Sequence, residues 1–326
     1  MNKRSTLYFF LLLFVFYFPL NKYKLGANHS NIYNLKKIVQ LDTTYTDIEC
    51  DSTHWEGLEI PYYDSTKQVV YHSGFTLEYN ENHEQANWVA YRLNKQKLIK
   101  ITQRTDKFIV DPAIQSGSAS NLDYLKSGYD RGHLAPAADM AWSIQAMRES
   151  FYFSNMSPQA PSFNRGIWKN LEEQVRKWAS EKGELFVVTG PVLEENLPYI
   201  GMNRVSIPKY YYKVILQIDT NSIEAIGFVL PNENSSLHFS EFSVSVDSVE
   251  HLTGIDFFHK LPDEIENKIE QQICFPCWFE YSKPRNPKTN EETLVISQKC
   301  NGTTQKGEKC KNYAKKGKSY CKLHEP

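Results

Sequence analysis

Apolar and polar positions divide the 326-residue chain into five stretches. Residues 7–20, LYFFLLLFVFYFPL, are almost wholly apolar and follow Lys3 and Arg4. The run is shorter than the roughly 20 residues of a spanning helix and has the positive and apolar regions of an export signal. Leu25-Gly26-Ala27 is the nearest and an imperfect cleavage site, so residues 1–27 read as a signal peptide or an uncleaved N-terminal anchor. The chain is then expected to be secreted, periplasmic, or held to a membrane through residues 7–20. Residues 28–56 are polar and irregular, as in a linker. From residue 57 to 282 the pattern is that of a mixed α and β domain. Strands are predicted over Val69–Asn80, Asn87–Leu93 and Glu184–Leu193. A hairpin is predicted from the runs starting at Lys209 and Ile223, turning across Asp219–Ser222. Helices are predicted over Ala137–Ser150 and Trp168–Gly183, the latter from the spacing of Leu171, Val175 and Trp178. Without regular βαβ repetition the class is α+β, a mainly antiparallel central sheet flanked by helices. Residues 283–298 read as a second linker, and 299–326 as a small Lys-rich Cys/His unit.

Composition adds that a packed body is affordable: 41% of residues are hydrophobic, 23% charged, with 20 Tyr, 18 Phe and 6 Trp. The net charge of −1 conceals an asymmetry. Residues 299–326 carry eight Lys and two Glu, leaving an acidic body. Long-range attraction for a nucleic acid would therefore come from the tail. An acidic body counts against tight, sequence-independent DNA binding, which requires neutralised phosphates.

The candidate chemistry begins in GYDRGHLAPAADM, Gly128–Met140, where Asp130, Arg131, Gly132 and His133 adjoin. Alone, DRGH is equally a polar turn. The following residues, FYFSNMSPQAPSFNRGIWKNLEEQ, add Asn155, Gln159, Asn164 and Glu172 in an aromatic setting. If one helix begins near Phe163, positions 164, 168, 171 and 172 share a face at about 3.6 residues per turn. Trp168 and Leu171 would anchor that face, and Asn164 and Glu172 would offer hard oxygens suited to Mg²⁺. Read singly, Asn164 is equally a helix N-cap and Glu172 a solvated charge.

DRGH at 130–133, SNMSPQ at 154–159 and FNRGIWKNLE at 163–172 resemble the DNA/RNA non-specific endonucleases, an endonuclease G-like family with a ββα-metal site. TGPVL at 189–193 and PKYYYKVIL at 208–216 are similar to its later strands. The resemblance implies a ββα-metal nuclease fold, with Mg²⁺ (or Mn²⁺) as cofactor and DNA and RNA as substrates. It implies that His133 is the general base and Asn164 the direct Mg²⁺ ligand. Glu172 would hold metal-bound water, Arg131 and Arg104 would contact the phosphate, and Asn155 would support the site. A homodimer is compatible with it. An inhibitor partner is not readable from the chain.

Cys300, Cys310, Cys321 and His324 form a complete tetrahedral Zn²⁺ donor set, and their spacing resembles the plant WRC-type motif, with Glu308-Lys309 in place of its Trp-Arg. Disulfides after export are the alternative. Cys274-Phe275-Pro276-Cys277 is open to a disulfide, a redox pair or a metal site, a structural disulfide being preferred. Cys50 is unassigned. Two other functions remain open at this level: a non-catalytic nucleic-acid-binding protein, and a phosphodiesterase acting on a smaller substrate.

Overall fold

The computed structural model describes residues 55–219, 222–279 and 303. The leader, most of the first linker, Cys50, the second linker and the Cys300–Cys310–Cys321–His324 set lie outside them. Among the described residues, no helix is long and apolar enough to cross a membrane.

Eleven strands are described: β1 Gln68–Tyr71, β2 Thr76–Asn80, β3 Gln85–Leu93, β4 Asp130–His133, β5 Met156–Gln159, β6 Glu184–Pro191, β7 Tyr199–Ile200, β8 Val205–Ser206, β9 Tyr210–Ile218, β10 Ile223–Pro231 and β11 Ser243–Val244. The α-helical segments are α1 Asn121–Tyr124, α2 Ile144–Glu149, α3 Pro161–Phe163, α4 Lys169–Glu181, α5 Val246–Thr253, α6 Asp263–Glu270 and α7 Phe275–Trp278. Seven strands form one antiparallel sheet in the order β1-β2-β3-β6-β9-β10-β11. β4 and β5 pair separately, with His133 opposite Met156. The expected α+β class and antiparallel sheet are present.

Both faces of the sheet are covered, which is why β6, β9 and β10 read as nearly continuous apolar runs. Val187, Tyr211 and Ile215 join one core with Leu171, Val175 and Trp178 of α4. Phe186, Val188, Val214 and Leu216, the alternate positions, join another with Val246 and Val249 of α5 and Ile269 of α6. Trp168, Leu171 and Val175 are fully buried. Each such side chain contributes about 1.5–3 kcal/mol of burial free energy, which fixes α4 against the sheet.

Three sequence expectations are corrected. Val69–Asn80 is not one strand: the chain reverses between β1 and β2, with His72 N donating to Phe75 O at 2.8 Å. Gly74 sits in this turn, and a Cβ there would lie 2.5 Å from Met140 Sδ. Ala137–Ser150 is not one helix: a 3₁₀ turn, Ala137–Met140, is followed by a fresh start at α2, whose N-cap Ser143 accepts from Ala146 N. Hydroxyl capping at an extended residue begins a helix and interrupts the one before it. The single regular helix carrying both Asn164 and Glu172 is replaced by α3, a π turn over Asn164–Trp168, and α4. Gly166 leaves helical geometry at φ −107°, ψ −112°. Pro161 stands at the start of α3, where its fixed φ favours entry.

The predicted Cys274–Cys277 disulfide is formed. Lys182 Nζ donates to Cys277 O at 2.6 Å and Trp178 Nε1 to Trp278 O at 2.9 Å, fastening α7 to the end of α4.

Candidate active site

β4, β5 and the segment α3–π turn–α4 form a ββα unit beside the main sheet. His133 closes β4 and is 9% exposed, with no hydrogen-bond partner for its Nε2 among the described residues. Its ring lies edge-on to Phe151 at 4.8 Å between centroids and 5.8 Å from Phe108. Two guanidiniums cover the outer faces of this cluster: Arg104 lies 4.9 Å from the Phe151 centroid and Arg131 4.2 Å from that of Phe108. The backbone explains how Arg104 and Phe108, which belong to no strand or helix, arrive there. Ile109 N donates to Phe151 O at 3.2 Å, and Phe153 N to Ile109 O at 3.0 Å, stitching that segment to the site.

Burial pushes the His133 imidazole down to about 3, and the charges of Arg104 and Arg131 push in the same direction. At neutral pH the ring is therefore uncharged and can accept a proton. Arg131 Nη1 also donates to Asn121 Oδ1 at 2.6 Å, and Arg104 Nε to Asp106 Oδ1 at 2.5 Å. Both arginines are exposed, so their remaining donors face solvent. A cleft of about 730 Å³ opens beside Arg104, walled by Ala137, Ala138, Ala141 and Met147.

Asn155 is fully buried and ties three backbone groups together. Its Oδ1 accepts from Ala135 N at 2.8 Å, and its Nδ2 donates to Ala135 O at 3.0 Å and Ser150 O at 2.8 Å. These bonds hold the turn that follows His133. Gly132 has a packing reason: a Cβ there would lie 2.2 Å from Gln159 Cδ.

Asn164 is joined to the DRGH strand directly, its Nδ2 donating to Asp130 Oδ2 at 2.9 Å. Arg165 grips the same carboxylate with two bonds of 2.8 and 2.6 Å. Against the upward push of burial, these bonds hold Asp130 below the usual carboxylate range. The Asn164 amide is thereby oriented, with its nitrogen engaged and its Oδ1 left for another partner.

Glu172, one turn into α4, is half-buried and accepts no hydrogen bond from the described residues. Burial raises its carboxyl; Lys213 opposes that most strongly, Asp139 adds to it, and Arg176 and Arg104 oppose it. Arg104 thus acts electrostatically on both His133 and Glu172. Lys213 projects from β9, fully buried, 4.7 Å from the Trp168 ring centroid and without a hydrogen-bond partner among the described residues. Burial lowers its ammonium, and Glu172 works against that. Arg176 donates to Asp139 at 2.8 Å, and Tyr91 Oη donates to the other oxygen of that carboxylate at 3.0 Å.

The family model described as DNA/RNA non-specific endonuclease matches residues 58–264. The chain belongs to the DNA/RNA non-specific endonuclease family. It is 36% identical over 215 residues to a mitochondrial nuclease EXOG of Danio rerio, covering 61% of this chain and 63% of the relative. It is 34% identical over 211 residues to a nuclease of Nostoc sp., covering 61% of this chain and 76% of that protein. It is 33% identical over 205 residues to the mitochondrial endonuclease G of Homo sapiens, covering 58% and 69% respectively. The match thus spans less than two thirds of the Danio rerio relative's length. Among solved structures, an EndoG/EndoGI complex aligns with a TM-score of 0.57 and 31% identity, covering 63% of this chain and 90% of that one.

A divalent metal is expected of a DNA/RNA non-specific endonuclease, and the residues present fit one. Asn164 Oδ1 and the Glu172 carboxylate are hard oxygens without a donor from the described residues. Gln159 is fully buried nearby in sequence, and neither polar atom of its amide has a hydrogen-bond partner among the described residues. A cation beside Glu172 would favour the ionised carboxylate that burial alone disfavours.

The motif reading missed Arg176, Asp139 and Lys213. Arg176 lies four residues after Glu172, one helical turn along the same face, so the spacing could have nominated it. Lys213 interrupts the apolar run YYYKVIL, a cation inside a buried strand. Asp139 carried no signal of its own; its role depends on the fold bringing Tyr91 and Arg176 to it.

Proposed function

We propose that the chain is a Mg²⁺-dependent endonuclease that hydrolyses internal phosphodiester bonds of both DNA and RNA, leaving 5′-phosphate ends. The observation that supports this reading is the buried His133 imidazole, its Nε2 without a hydrogen-bond partner among the described residues, packed against Phe151 and Phe108, whose rings carry Arg104 and Arg131.

Arg104 and Arg131 bind and orient the phosphate through donors that face solvent. An anion between them also offsets the charge that depresses His133, making the imidazole a stronger base when substrate is present. His133 then takes the proton of the attacking water, while the arginines stabilise the charge gathering on the phosphoryl oxygens. Asn164 would hold the Mg²⁺ ion through Oδ1, with Glu172 ordering its waters. Bound there, the metal supplies charge stabilisation at the phosphate and the departing oxygen. Asn155 keeps His133 in place. None of these residues reads bases, so the cleavage is indifferent to sequence.

The test is incubation of the purified protein with plasmid DNA and with RNA, with Mg²⁺ or with excess EDTA. Nicking of both substrates only with metal is expected. Undiminished cleavage in EDTA would remove Asn164 from its role as ligand. Cleavage confined to small phosphodiesters would reassign the substrate.

We further propose that residues 1–27 direct export and that Cys300, Cys310, Cys321 and His324 bind one Zn²⁺. The zinc content of the purified tail-containing protein, compared with that of a Cys310→Ser variant, tests the second.

A further inference from the structure

On the sheet face opposite α4, α5 and α6 bring three carboxylates together. Oxygens of Asp247, Glu250 and Glu270 all lie within 4.8 Å of one another. Glu270 is 4% exposed, and its Oε1 has no hydrogen-bond partner among the described residues. Glu250 uses Oε1 to accept from Phe257 N at 2.8 Å, which orients its carboxylate. We propose that these three residues form a structural Ca²⁺ site that joins α5 to α6, separate from the nuclease centre and independent of the reading given for it.

The spacing supports a shared ion. Ca²⁺ binds oxygens at roughly 2.3–2.6 Å, so its ligands stand no more than about 5 Å apart. The three carboxylates meet that limit as they are. Glu270 adds the second argument. A buried carboxylate oxygen without a donor is costly, and native proteins rarely leave one so. Its neighbours aggravate the cost, because Glu250, Glu266, Asp247 and Asp256 all act on Glu270 with like charge. A cation at the meeting point coordinates the buried Glu270 carboxylate and removes the repulsion together. The donor set favours Ca²⁺ over Mg²⁺. Mg²⁺ keeps several waters and usually takes one or two carboxylates, whereas Ca²⁺ accepts several in irregular geometry. Asp247 is exposed, which leaves a path for entry and room for water to complete the shell. Because Val246, Val249 and Ile269 bury the same two helices against the sheet, joining them stabilises that face against unfolding.

The experiment is thermal unfolding of the full chain, stripped of metal with chelator and then titrated with CaCl₂ alone. The background is Asn164→Ala, so that binding at the nuclease centre is weakened. With Ca²⁺ at a hundredfold its dissociation constant, the midpoint should rise by about 5–11 °C. The same rise should be absent in Asn164→Ala/Glu270→Gln and in Asn164→Ala/Asp247→Asn. Equilibrium dialysis should find one Ca²⁺ fewer per chain in each of these than in the background. Nuclease activity of the single variant Glu270→Gln with Mg²⁺ should match that of the parent. No thermal shift in the background, or an equal shift and equal stoichiometry in the Glu270→Gln variant, would overturn the site whether or not the nuclease reading stands.

Discussion

Two regions each bury a titratable group and leave it without a hydrogen-bond partner among the described residues, and they do so with opposite sign. In the ββα unit, His133 is pushed down to about 3 by burial and then by Arg104 and Arg131. Between α5 and α6, Glu270 is pushed up to about 9 by burial and then by four acids. In neither place does the surrounding charge relieve the buried group. Asp139 shows the usual solution: it is buried, and Arg176 and Tyr91 satisfy both of its oxygens. A region whose neighbours worsen burial is suited to a counter-charge from outside. Around His133 the counter-charge we propose is an anion, as a phosphodiester supplies; between α5 and α6 it is a cation.

The largest expected effect separates the two regions by activity. His133→Ala should lower kcat/KM for plasmid nicking by about 10²–10⁴-fold. It should keep the native circular dichroism and the full Ca²⁺-dependent shift in unfolding temperature. Retained activity would break the comparison at its catalytic half. Next in size, Asn164→Ala should raise the Mg²⁺ needed for half-maximal cleavage by about 10- to 100-fold, read from a metal titration of the rate.

The third effect is on stability against pH, where the regions should slope in opposite directions. His133 titrates near 6.5 when unfolded and about 3 when folded, so between those values the unfolded chain binds the extra proton. Its contribution is fully present above pH 6.5 and falls as pH drops toward 3, by up to about 1.4 kcal/mol per unit. Glu270 is raised from 4.5 to about 9, so the folded chain binds the extra proton between those values. Without Ca²⁺, its contribution falls as pH rises through that window. Urea unfolding in chelator should show a shallower acid limb for His133→Ala and a shallower alkaline limb for Glu270→Gln. The smallest effect is spectroscopic. In Arg104→Ala the His133 ring should titrate higher than in the parent, followed by the NMR shifts of its ring protons. An unmoved titration would detach Arg104 from the pocket.

Much of this was legible in the residues because it is local. DRGH, SNMSPQ and FNRGIWKNLE carried the candidate base, its supporting amide and the candidate metal-ligand oxygens, but only through their resemblance to a known family; read singly, each was equally a turn, an N-cap or a solvated charge. The helical stripe of Leu171, Val175 and Trp178 located α4 because a one-sided apolar pattern has one stable packing. The legible part ended where geometry departs from a regular period. A 3.6-residue rule could not foresee the π turn at Asn164–Trp168, because it assumes the phase that Gly166 breaks. Nor could it place the turn at Gly74, whose reason is Met140, far along the chain.

By itself, the order of residues determined the α+β class, the longer central strands, helix α4 and the chemical groups available, because these follow from local periodicity and side-chain type. Tertiary structure alone decided which charges face which. It brought Arg104 and Arg131 within electrostatic reach of His133 and Lys213 within reach of Glu172, and set Glu250 and Asp247 against Glu270. Electrostatic environment is a property of distance and burial in space, and residues remote along the chain supply most of it.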